Sequence, residues 1–114
     1  MFGSIGTILV EAFADPMQKY RILIHAENLL AEIDGECQRL GFYTNVFIEA
    51  SSAKDAAERA INFLREDAAV RNMQRNAPDD PIRLSVQKTE ELDSFDGRPL
   101  PRTGLALYPL DASE

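Results

Sequence analysis

The sequence predicts an α+β fold: a two-layer sandwich with a mostly antiparallel sheet, in the order β-β-α-β-β, with one main amphipathic helix on one face. Three observations lead there. Tyr20 to Glu27 and Phe42 to Ala50 alternate side chains with period two, the pattern of strands. A single stretch after Ser52 repeats its apolar residues with helical period, and one such helix covers one sheet face only. The 114 residues suit one domain, and a chain of this size buries roughly two-thirds of its unfolded surface without needing staples.

Residues 1–16 read as an N-terminal appendage or as an extra edge strand, Thr7 to Ala12, ahead of a single domain over 17–114. Ala12-Phe13-Ala14 has the small-x-small look of a signal-peptide end, but no Lys or Arg stands near the start and Glu11 interrupts the apolar stretch, so the expected location is cytoplasmic. Asp15-Pro16 is turn punctuation. In the first strand Tyr20, Ile22, Ile24 and Ala26 share one face, and Arg21, Leu23, His25 and Glu27 the other. Asn28 to Leu40 reads as a strand extension, a turn at Asp34-Gly35 and an irregular return. In the second strand Phe42, Thr44, Val46 and Ile48 oppose Tyr43, Asn45, Phe47 and Glu49.

The helix opens at Ser51 or Ser52, with Asp55 at capping-box spacing. Its stripe is Ala53, Ala56, Ala57, Ala60, Ile61 and Leu64, and Asp55–Arg59 and Asp67–Arg71 stand at i, i+4 on the wet side. It should fade between Val70 and Asn76, ahead of Pro78 and Pro81. A third strand follows with Ile82, Leu84 and Val86 inward. Lys88 to Pro101 reads as an acidic loop, and Gly104 to Pro109 as a short last strand.

Charge and cysteine usage exclude several functions. Nineteen acids against twelve bases give a net charge of −7, a poor match to nucleic acid. No apolar run is long enough for a bilayer. One cysteine, Cys37, rules out an internal disulfide framework and a cysteine zinc site. His25 and Glu27, two apart on a strand, share a face at roughly 7 Å. They match the start of a zinc-deaminase signature whose Pro-Cys-x-x-Cys half is absent. Acids beside Cys37 would blunt it as a nucleophile, and no Gly-x-Ser-x-Gly, Walker or Gly-x-Gly-x-x-Gly motif appears. Asp79, Asp80, Glu90, Glu91, Asp93 and Asp96 lack calcium-loop spacing and read as a solvated acidic surface. The expectation is no catalytic residue, no metal and no cofactor.

The informative feature is the face opposite the helix. It should carry Leu23, His25, Glu27, Tyr43, Asn45 and Phe47, a mixture of aromatic and polar groups typical of interfaces, unless residues 1–16 or the loop after Lys88 fold over it. The expected function is a small acidic protein-interaction module, a homodimer through this face, antitoxin- or immunity-like towards a basic toxin-like partner, with no nucleic acid or membrane partner. The alternative is a small enzyme or small-molecule binder with a pocket around His25, Glu27, Tyr43 and Asn45.

The stretch GFYTNVFIEASSAKDAAERAINFLRED, followed by IRLSVQKTEELDSF and GLALYP, resembles a family of small bacterial α+β proteins with no assigned chemistry, over roughly Tyr20 to Pro109. No functional residue carries over from it. Asp55-Ala-Ala-Glu-Arg-Ala60 after a strand and a polar turn is also similar to HicB-type antitoxins. The Pro-x-Leu-Pro-Gly-Cys segment of those antitoxins is absent here, and no DNA-binding segment follows, so that likeness implies topology alone.

Overall fold

The computed structural model describes residues 17–110; the expected edge strand Thr7 to Ala12 lies outside the described residues. Four strands, β1 (Gln18–Ile33), β2 (Glu36–Ala50), β3 (Arg83–Leu92) and β4 (Ala106–Pro109), form one antiparallel sheet in the order β3-β1-β2-β4. Between β2 and β3 lie two helices, α1 (Ala53–Arg65) and α2 (Ala68–Met73).

The β1–β2 hairpin dominates the sheet because Tyr20–Ala26 and Phe42–Val46 alternate side chains between its two faces. Asp34 and Gly35, at φ of 54° and 84°, are the pair of positive values that a type I′ turn needs. The return from the turn is a regular strand, not the irregular segment the sequence suggested: Ile33 to Leu29 pair with Glu36 to Leu40 without a break. The irregularity falls between Ala26 and Leu29, where Asn28 takes a positive φ and is buried. Asn76 answers the disruption: its side-chain oxygen accepts from Leu30 N at 2.9 Å, and its amide donates to the Asn28 carbonyl at 2.7 Å.

α1 begins where expected. Ser52 caps it by accepting from Asp55 N at 3.1 Å, and Asp55 reaches back to Ser51 N at 3.3 Å. Ala56, Ala60 and Leu64 are buried against Ile22, Ile24, Phe42 and Val46 in one core, with Ile61 packed beside them. The small alanines let the helix lie close to the sheet. Leu64→Ala should therefore cost about 2–5 kcal/mol in urea unfolding. Arg59→Ala, which removes only an exposed i, i+4 pair with Asp55, should leave the midpoint nearly unchanged; equal effects would show the helix rotated from this phase.

The second helix corrects the expectation of a single fading one, and makes the order β-β-α-α-β-β. Glu66 ends α1, and Asp67 starts α2 by accepting from Ala69 N and Val70 N at 2.9 and 3.2 Å. The expected Asp67–Arg71 pair does not form. Asp67 takes Arg102 instead, at 2.6 and 3.1 Å, and Arg71 takes Glu66. The Arg102 clamp fixes the segment that covers the outer edge of β2, where Phe47 N donates to Pro101 O and Thr103 N to Asn45 O, each at 2.9 Å. β3 also runs further than expected, to Leu92. Gln87 is an extra residue in its pairing with β1, so Leu23 faces Lys88 and Arg21 faces Glu90.

Candidate functional site

The open face of the sheet is built from the β1 and β2 side chains that point away from α1. Cross-strand pairs His25↔Tyr43, Leu23↔Asn45 and Arg21↔Phe47 set it out in three zones.

At one end, the His25 and Tyr43 rings stack at 4.3 Å, only 7° from parallel. Tyr108 of β4 completes the group, with its ring centroid 6.0 Å from each and its hydroxyl 2.5 Å from His25 Nε2. Tyr108 can reach because its cross-strand partner is Gly41. A Cβ at Gly41 would run into the Tyr108 ring and come within 2.9 Å of the Ala26 carbonyl oxygen. Burial holds the Tyr108 phenol above the usual tyrosine range, with Tyr43 and the Glu27 carboxylate adding to the effect. It therefore stays protonated at neutral pH, with its hydroxyl at hydrogen-bond distance from His25 Nε2. Gly41→Ala should cost about 1–3 kcal/mol as an overpacked site and displace Tyr108 from His25, read in urea melts and in the near-ultraviolet tyrosine signal. A Gly41→Ala chain with both unchanged would show that Tyr108 does not lie across this glycine.

The middle zone is a shallow depression of about 240 Å³ lined by Arg21, Leu23, Asn45, Lys88 and Glu90. Arg21 and Glu90 form an ion pair across it, and that guanidinium holds the Glu90 carboxyl below its usual range. At the far end Phe47 is 7% exposed. The chain itself covers it: Phe95 packs edge-on at 6.3 Å and Arg98 lies over the ring at 6.0 Å. Phe47 therefore belongs to an internal contact: among the described residues, the segment after Leu92 closes the Phe47 end and leaves the aromatic end open, while the expected cover by residues 1–16 lies outside the described residues. Tyr43 is 41% exposed.

The six residues singled out from the sequence thus lie on one face but not in one pocket. Leu23 and Asn45 line the depression, and His25 and Tyr43 form the stack. Glu27 faces Arg83 at 4.0 Å, and Phe47 is covered. Cys37 is exposed near the hairpin turn, six residues along β2 from Tyr43, which puts it about 20 Å from the histidine. Sequence reasoning missed Tyr108 and Phe95. An aromatic residue inside the polar stretch Ser94-Phe95-Asp96-Gly97 was the one available signal for the second. Among the described residues no group of three His, Cys, Asp or Glu could hold a metal ion, and no helix is long and apolar enough to cross a membrane. No protein-family model matches the chain, and neither does any curated protein or solved structure compared with it.

Proposed function

We propose that the protein is a small acidic, non-enzymatic interaction module of the cytoplasm that pairs with a second copy of itself through the open sheet face. Its helices form one layer of a two-layer sandwich, and the outer face of the sheet layer is left for contact. The observation that carries this reading is the stack of His25, Tyr43 and Tyr108, held in place from below by Gly41 and half-open above. Rings fixed in advance lose little freedom on binding, and aromatic residues with a polar rim are what interface centres favour.

A second copy is the occupant that the charges favour. The ion pairs on this face, Arg21–Glu90, Lys19–Glu49 and Glu27–Arg83, each join opposite signs. Those six charges cancel within the face although the chain carries −7, so the face does not share the chain's acidic surplus and can meet itself about a two-fold axis. The surplus acid lies elsewhere and suits a basic protein partner, as in antitoxin- or immunity-like proteins, by charge complementarity that also speeds encounter.

Light scattering at high micromolar concentration should give twice the 12.7 kDa chain mass. Tyr43→Glu should halve it, because two carboxylates would be brought together without partners. A wild-type monomer would overturn the dimer. Phe47→Glu is the wrong probe, since it strikes the internal contact with Phe95. A second reading, a small enzyme or ligand binder around His25, Glu27, Tyr43 and Asn45, has one feature in its favour: the depression beside Asn45, with Arg21 and Lys88 on its walls.

A further inference from the structure

On the opposite, helix side of the sheet, α1 stops at Arg65 and α2 is only six residues long. Together they fail to cover the start of β3, where Ile82 and Leu84 pack against the core yet stay partly exposed. A cavity of about 300 Å³ opens there, with Phe42 as its floor and Leu64, Val70, Ile82 and Leu84 among its walls. That volume is at the lower end of what small-molecule sites need.

The loop that closes the cavity is pinned to the irregularity in β1. Asn28 donates to Asp80 Oδ1 at 2.8 Å and to the Pro81 carbonyl at 3.1 Å, and Asn76 donates to the Asp80 carbonyl at 2.8 Å. The ionisable side chains among the described residues lining the cavity are Arg65 and Arg71, and no carboxylate is among its lining residues, in a chain where acids outnumber bases nineteen to twelve. Arg71 meets Glu66 at 2.9 Å in an exposed pair that water screens. Arg65 makes no ion pair among the described residues. An apolar cavity bordered by two arginines suits one kind of guest, because arginine takes a carboxylate through two parallel hydrogen bonds.

We infer that this cavity binds a small monocarboxylic acid with an apolar tail, the tail lying on Ile82 and Leu84 and the carboxylate at Arg65 and Arg71. The site is on the other side of the sheet from the stacked rings and does not depend on self-association. The test is a titration of the isotope-labelled full chain with sodium octanoate, followed by amide chemical shifts. The shifts should be confined to Leu64–Gln74 and Ile82–Leu84. 1-Octanol, which keeps the tail and lacks the charge, should bind about tenfold more weakly, the scale of a charge-assisted hydrogen bond. The exposed double substitution Arg65→Gln with Arg71→Gln should weaken octanoate to the level of the alcohol and leave the alcohol unaffected. Equal binding of acid and alcohol, or shifts centred on Tyr43 and Tyr108, would overturn the assignment. No shift at millimolar octanoate, or shifts that track protein rather than octanoate concentration, would overturn it too; the latter result would hand the cavity to a second copy of the chain.

Discussion

An Asp67→Ala chain should unfold with about 2–4 kcal/mol less free energy than the wild type, the cost of losing a partly buried, charge-assisted pair together with a helix cap. Asp67 is 8% exposed and Arg102 17% exposed. The carboxylate has two duties. It caps α2 through Ala69 N and Val70 N, and it holds Arg102 by two hydrogen bonds. Arg102 in turn donates to the Thr103 carbonyl, within the segment that covers the β2 edge. Alanine would leave the partly buried guanidinium without its carboxylate and uncap the helix. The same geometry fixes the pH response. Arg102 chiefly, helped by the Val70 and Ala69 amides, holds the Asp67 carboxyl below its ordinary value of 3.8, and burial opposes them without prevailing. A carboxyl lowered on folding stabilises the protein above its unfolded value, and that contribution disappears as pH falls through the folded one. Urea midpoints of wild type and Asp67→Asn should therefore differ at pH 7 and converge as the pH falls below 3.8 and through the folded value. A gap that persists in acid would show that Asp67 does not act through its charge, since asparagine can cap the helix as aspartate does.

The β1–β2 hairpin and α1 were legible in the sequence because each repeats a period over many residues: Ile22, Ile24 and Ala26 in β1, Ala56, Ala60 and Leu64 in α1. α2 was not, since six residues show no period, and Asp67 read as a wet i, i+4 partner when its true partner stands 35 positions away. β3 beyond Val86 looked like loop because it is a sheet edge wet on both sides, and Gln87 shifts its phase halfway. The candidate face was legible as a list of residues but not as an arrangement. Tyr108 meets His25 across 83 positions, and Phe95 covers Phe47 from a different element. Local pattern carries no information about either pairing. Gly41 hinted at the first, since a glycine inside a strong strand marks a close approach.

Phe42→Ala should be the most damaging truncation on β2, at about 3–5 kcal/mol, while Tyr43→Ala one position along should cost about 1 kcal/mol, the value of its stacking on His25. Phe42 is fully buried on the helix side, and its strand partners are Ala26 and Leu107. Ala26 is too small to fill the space a phenyl ring leaves, and Leu64 is tethered by α1, so the void cannot collapse. The void would also merge with the cavity that Phe42 now floors, admitting water to the core beside Val70. Tyr43 faces the other way and is 41% exposed, so its removal opens no internal space. The two substitutions thus read out the two faces of one strand. Both belong in urea melts at one fixed protein concentration, because self-association would otherwise contribute to the Tyr43 value. A larger loss for Tyr43→Ala than for Phe42→Ala would reverse the faces of β2, and would remove the open aromatic surface on which the proposed self-association rests.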